Sequence, residues 1–221
     1  MAQASRTSTS SAGLSDDPIE NLSSWFQVNQ KAITVGVAAV ALAAAAITGY
    51  RYMDASNRAK ASNELYKATG PMMQGKLPEA QAALAKVAKD FSGTASGAQA
   101  SLLLAQVLYD QKKYQDGITA LEKAKSSSGS DFAASTEALI AVGYESLGKF
   151  DQAAEHYGLA ASAARFPLDK GSNQANQARS LTAAGKTAEA RKLWEELAKH
   201  EGLPFAQESQ VRLGELAGAG K

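Results

Sequence analysis

An all-α chain is predicted, with a single transmembrane helix near the N-terminus followed by an α-solenoid of paired helices. Three observations predict it. Residues 32–50 read AITVGVAAVALAAAAITGY and carry no charge, with Lys31 before them and Arg51 after. Beyond them, a pattern of small and large apolar residues recurs at a near-constant interval. Alanine is abundant throughout, while glycine and proline are sparse within the long segments, which favours helix over strand.

Taken in order, residues 1–17 are small, polar and rich in Ser and Thr, with almost nothing to bury, so they are expected to form a disordered tail. Residues 18–31 open on helix-start signals: Asp17 as a cap, Pro18 in the first turn, and Glu20 where a capping box places its acid. Ile19, Leu22, Trp25 and Phe26 then share one face. An amphipathic helix in the headgroup region is assigned to 18–31; a plain N-terminal extension of the anchor fits the same residues.

Residues 32–52 are assigned as the membrane-spanning helix. At about 1.5 Å per residue the uncharged run is roughly 28 Å long, close to the hydrocarbon thickness of a bilayer. Trp25 and Phe26 before it, with Tyr50 and Tyr52 after it, supply the aromatic belt. A buried helix of a soluble protein is the alternative, but such helices rarely keep every face uncharged over so many turns. Residues 1–31 also exceed the short basic region that opens a signal peptide and include Asp16, Asp17 and Glu20, so the anchor is expected to be retained. Ala41, Ala45 and Gly49 form a ridge of small residues along which a second membrane helix could approach.

Residues 53–221 are long enough for one domain with its own core. The chain carries 23 Lys and Arg against 22 Asp and Glu, a formal charge of +1. The charges are dispersed and form no basic face, which argues against nucleic acid as a partner. There is no cysteine, so disulfides, thiolate metal sites and cysteine nucleophiles are excluded.

Within 53–221 three stretches align: LAQVLYDQKKYQDGITALEKA from Leu104, IAVGYESLGKFDQAAEHYGLA from Ile140 and QARSLTAAGKTAEARKLWEEL from Gln177, starts that lie 36 and 37 residues apart. Each has a small residue (Ala105, Ala141, Ala178) three before a larger one (Leu108, Tyr144, Leu181). Then come Tyr114, Phe150 or Thr187, a second small residue (Gly117, Ala153, Ala190), and a large one (Leu121, Tyr157, Trp194). This is the tetratricopeptide-repeat pattern, two antiparallel helices per unit with the turn near Lys112, Gly148 and Gly185. Small residues stand where paired helices cross, and large ones fill the spaces between units. A degenerate copy lies upstream at Gly75, Leu77, Ala80 and Leu84. Its first helix, about 55–69, is expected to run on from the anchor and to break at Gly70-Pro71. Pro204 opens a last helix that caps the stack.

No phosphate loop, dinucleotide fingerprint or nucleophile elbow occurs. His156 and His200 belong to different repeats without metal-ligand spacing and are expected to be exposed helix residues. Glu195-Glu196 and Asp16-Asp17 fit solvated helix faces. No catalytic residue, metal site, cofactor or small-molecule substrate is assigned, and a non-enzymatic role is expected.

The expected function is protein binding. First helices line the concave face of such arrays, and counting from the small residues places Gln99, Leu102, Gln106, Tyr109, Asp110, Ala138, Val142, Glu145 and Arg179 in the groove. The set lacks the clustered basic residues of a carboxylate clamp.

The combination of Trp25-Phe26 with Asn29, Lys31 and Ala32, the Ala-rich helix, the Arg51-Tyr52 exit and the degenerate repeats resembles the ancillary subunits of the bacterial Sec translocon (the YfgM type). The resemblance implies an inner-membrane protein with a cytoplasmic N-terminus and a periplasmic repeat domain, whose partners are the translocon and periplasmic chaperones. The Ser/Thr-rich tail and the near-neutral domain depart from the family. Arg51, Arg58 and Lys60 after the span oppose that topology by the positive-inside rule, although long domains translocate despite such charges. The alternative role is an accessory subunit held permanently in a large respiratory, photosynthetic or secretory membrane complex.

Overall fold

The structure is a computed structural model describing residues 18–200 and 202–218; the predicted tail, the Asp17 cap and Asp16 lie outside the described residues. The chain divides into two units, Met1–Asp54 and Ala55–Lys221. Helix α1 (Pro18–Met73) contributes to both, and its two parts are described separately.

In the first unit α1 is continuous through residues 18–54, with no turn between the segment assigned to the interface and the apolar run. The extension reading therefore describes the backbone there. Trp25 and Phe26 meet edge to face at 5.5 Å. By length and composition this helix is apolar enough to cross a membrane, and none of its apolar window is buried. The hydroxyls of Thr34 and Thr48 donate to the carbonyls of Gln30 and Ala44, each at 2.8 Å, so both are satisfied within the helix.

The second unit is built of helical pairs. First helices are the C-terminal part of α1, α3 (Ala95–Asp110), α5 (Ala133–Ser146) and α7 (Pro167–Ala183). Each is followed by a second helix: α2 (Leu77–Asp90), α4 (Tyr114–Ala124), α6 (Phe150–Ala163) or α8 (Thr187–Ala198). A 3-10 turn at Ser130–Phe132 precedes α5, and α9 (Pro204–Gly218) takes the next first-helix position. From α2 to α9 each helix packs on the next, Leu65 and Ala68 of α1 share a core cluster with Ala80, Leu84 and Leu104, and α3 also touches α5 as α7 touches α9, so first helices form the inner layer.

The small residues of the repeat sit at the crossings: Ala105, Ala141, Ala178, Ala80, Ala153 and Ala190 have no exposed surface. Leu84, Leu121, Tyr157 and Trp194 fill the layer between pairs and are buried beside them. A buried Leu or Trp of this kind contributes about 2–3 kcal/mol by area alone.

All four hairpin turns close in the same way. The residue before each second helix is a lysine whose N–H reaches back to a first-helix carbonyl: Lys76 to Pro71, Lys113 to Leu108, Lys149 to Tyr144 and Lys186 to Leu181, at 2.8–2.9 Å. The carbonyls of the same lysines accept the first bond of the next helix, from Ala80, Gly117, Ala153 and Ala190. Such a closure needs a left-handed residue just before the lysine. Gly75, Gly148 and Gly185 supply it, and in the second copy Lys112 does so at φ 60°.

The expected break at Gly70-Pro71 is not found. Pro71 lies inside α1, which ends at Met73. The missing N–H costs one bond in the last turn, while the Pro71 carbonyl still accepts from Gln74 and Lys76, and Gly75 ends the helix as its counterparts do in the other copies.

Candidate partner groove

The first helices place the predicted groove residues in two environments. Gln99, Gln106, Asp110, Val142 and Arg179 are exposed; Leu102, Tyr109, Ala138 and Glu145 are half-buried. The half-buried members are engaged with the scaffold. Leu102 packs against the cluster of Ala105, Ile118, Leu121 and Ile140, and Ala138 against that of Ala141, Ala153 and Tyr157.

Tyr109 is a wedge between repeats. Its hydroxyl donates to the carbonyl of Leu139 at 3.0 Å. Its ring lies where a β-carbon on Gly117 would stand, 2.3 Å away, and its oxygen is 2.4 Å from the place of a β-carbon on Gly143. Burial of the phenol raises its pKa far above the ordinary tyrosine value. Two helical glycines, each costing about 1 kcal/mol against alanine, are thus explained: Gly117 by the Tyr109 ring, and Gly143 by the Tyr109 hydroxyl together with Ile118 Cγ1, 2.6 Å from its β-carbon position.

Glu145 joins three helices. One carboxylate oxygen accepts from the Tyr157 hydroxyl of α6 at 2.9 Å, the other from the Ser180 hydroxyl of α7 at 2.7 Å. Tyr157 titrates well above its usual value, chiefly through burial and secondly through the Glu145 charge. Arg179 is held by α9: its Nε donates to Glu208 at 2.8 Å, Nη2 donates to the other oxygen of Glu208, and Nη1 donates to Asn176. The Arg179 hydrogen bonds hold the Glu208 carboxyl below its ordinary range.

The expectation that both histidines are exposed fails for His156. Its Nδ1 lies 2.7 Å from Glu137 and its ring stacks on Tyr144 at 5.2 Å. Glu137, itself buried, also takes Lys125 at 2.7 Å, a bond that raises the lysine's pKa. Alanines along α6 let it approach α5 closely enough for these side chains to meet. His200 is exposed and meets Phe205 edge to face. No group of three or more potential metal ligands occurs among the described residues. A depression of about 630 Å³ between α2, α3 and α4, lined by Lys89, Ser101, Asp116 and Lys123, assembles no nucleophile and base.

The residues assigned to the membrane anchor lie along α1. Trp25, Phe26, Tyr50 and Tyr52 are exposed, as are Ala41, Ala45 and Gly49.

Residues 23–202 match the model of the tetratricopeptide repeat-like domain family, and the chain belongs to that family. The match begins before the apolar run and extends through α8. Among solved structures, the chain is similar to the TPR-like repeats of a putative kinesin light chain from Podosopora anserina. Identity is 18%, with 74% of this chain and 88% of that one covered at a TM-score of 0.57. The first TPR domain of Spaghetti (RPAP3), bound to an HSP90 peptide, is 21% identical over 57% of this chain and 96% of its own, with a TM-score of 0.46. The second TPR domain of human RPAP3, in complex with an HSP70 peptide, is 18% identical over 51% and 88%, with a TM-score of 0.42. No curated protein matches the chain. These likenesses concern the fold, which as a class is generally a non-catalytic interaction scaffold.

Proposed function

We propose that the chain is a membrane-tethered, non-enzymatic module that holds protein partners near a membrane complex of the bacterial cell envelope. The observation that carries the reading is the joining of two features in one chain: an apolar helix with no burial and internally satisfied hydroxyls, and a repeat array whose first helices keep exposed polar side chains. Only a spanning helix or a closed barrel satisfies its backbone in lipid, and α1 meets that demand through residues 32–52. In residues 18–31 the exposed aromatic side chains Trp25 and Phe26 would lie at the near headgroup layer.

The resemblance to ancillary Sec subunits supports an inner-membrane location, a cytoplasmic N-terminus and a periplasmic repeat domain, with the translocon and chaperones as partners. Permanent membership of one large complex is the competing role. Affinity purification from mild detergent separates the two: substoichiometric translocon and chaperones support the module, and a single stoichiometric complex supports the subunit. Release of the chain from membranes by an alkaline wash without detergent would sink the tether. Protease added to spheroplasts should digest the repeat domain. Protection there, with digestion only after lysis, would reverse the topology in favour of Arg51, Arg58 and Lys60.

A further inference from the structure

In the second unit the start of α7, the end of α8 and the start of α9 surround a cavity of about 420 Å³. Three of its walls are rings, those of Phe166, His200 and Phe205, with Leu203 beside them. Phe205 is buried and meets His200 edge to face, whereas Phe166 is 66% exposed. Gly171 makes room for the Phe205 ring, which a β-carbon at 171 would strike at 2.2 Å. Leu159 and Leu168 are also exposed, so three large apolar side chains within residues 159–168 stay uncovered. Single exposed apolar side chains are ordinary, but a group of them beside a cavity with few polar groups marks a binding surface. None of the predicted groove residues lines this cavity.

The charges around it sort by partner. Arg165 is held by Asp131, and Glu196 by Lys199. Lys170 lines the cavity too and has no carboxylate partner among the described residues. It stands one turn after Phe166, whose carbonyl accepts the Lys170 N–H at 3.0 Å, so cation and exposed ring border one opening. A second depression, of about 560 Å³, shares Ala164, Lys170 and Gln174 with the first and is lined by Leu159 and Glu155.

We infer that the cavity seats an aromatic side chain of a partner protein, and that Lys170 takes a carboxylate next to that side chain. The inference rests on the module reading and adds a contact outside the predicted groove. Ring walls reward an incoming ring by edge-to-face or offset stacking as well as by removing it from water. Lysine methylenes cover apolar surface while the ammonium stays in water, so Lys170 can border the ring and still pair with an acid beside it. The occupant belongs to a protein because apolar surface continues past the cavity to Leu159, and a free small acid covers only one of the two depressions. Glu155 opposes a second acid, so the surface accepts one carboxylate, at Lys170.

The test uses the full chain in mild detergent and short peptides blocked at both ends, each with one para-fluorophenylalanine flanked by Asp or by Lys. Binding is read from fluorine nuclear magnetic resonance line widths, with micelles alone as the control. The Asp peptide should be broadened beyond that control and bind about threefold more tightly than the Lys peptide, the scale of one exposed ion pair. Lys170→Glu should reverse that order. Phe166→Ala should weaken the Asp peptide about fivefold, the worth of an aromatic pair, while Val211→Ala, also at an exposed apolar position, should leave it unchanged. Broadening no greater than in micelles, equal binding of the two peptides, or an unaltered affinity in a folded Phe166→Ala chain overturns the inference. Each of these leaves the module reading standing, because detergent purification of partners decides that separately. Binding of para-fluorophenylacetate as tight as that of the Asp peptide overturns the protein occupant.

Discussion

Tyr109 separates a scaffold role from a binding role, because a wedge and a ligand contact respond to mutation in opposite ways. The ring stands within 2.3 Å of the β-carbon position on Gly117, and its hydroxyl within 2.4 Å of that on Gly143. Gly117→Ala therefore forces a well-packed aromatic ring to move, at a cost of about 1–3 kcal/mol for overpacking, offset by about 1 kcal/mol of helix propensity. The net expectation is a loss of about 1 kcal/mol. Tyr109→Ala removes a half-buried ring together with its bond to Leu139, for about 3–4 kcal/mol. In the double variant the alanine at 117 has room. There the second substitution should stabilise by about 1 kcal/mol instead of destabilising, a coupling of roughly 2 kcal/mol. The assay is urea unfolding of the full chain in mild detergent, followed by far-ultraviolet circular dichroism, for the four members of the cycle. Additive effects, with Gly117→Ala equally costly in the presence and absence of the tyrosine ring, would refute the wedge.

Three further outcomes follow from local geometry. Lys112 sits at φ 60° where the three equivalent turns carry glycine, so Lys112→Gly should raise stability by about 0.5–1 kcal/mol, read as a shift of about 1–4 °C in the melting temperature. Glu145→Ala leaves the hydroxyls of Tyr157 and Ser180 without their acceptor and should cost about 2–3 kcal/mol in urea unfolding, whereas exposed Glu155→Ala should cost almost nothing. Glu208 has a folded pKa depressed chiefly by hydrogen bonding to Arg179, so its contribution is complete above the ordinary glutamate value of about 4.3 and fades as pH falls through the lower folded value. Amide exchange in α9 should accelerate over that acid window in the parent chain. The acceleration should be absent in Glu208→Gln, and a pH response identical in both would refute the assignment.

Much of this fold was legible because the repeat is periodic in one dimension. Ala105, Ala141 and Ala178 announce helix crossings, and the turn residues Gly75, Lys112, Gly148 and Gly185 all adopt the left-handed conformation that their shared position requires. The lysine that follows each of them was visible in the sequence as well, yet only the backbone bonds reveal that it closes one helix and opens the next. Pro71 does not break α1 because it lies two residues from the helix end, where a proline removes a bond the last turn can lose. The groove was less legible. Equal spacing brings a residue to a helix face, but it does not say whether a neighbouring repeat has already engaged it. Tyr109 and Glu145 lie in the predicted set and serve packing, whereas Gln106 and Val142 of the same set stay exposed. His156 was missed for a related reason, since its partner Glu137 lies on the opposite helix of the same pair.

The same periodicity bears on how such an array acquires specificity. Every buried position is constrained by the crossing of two helices and the stacking of the next pair, so little of the core can change without cost. Most exposed positions of the first helices are free of that constraint, and a change at one of them alters the surface without altering the stack. In this chain those positions are mixed in character, with Gln106, Asp110, Val142 and Arg179 all exposed. A rigid scaffold presents them at preformed spacing, which spares a partner part of the entropy of alignment.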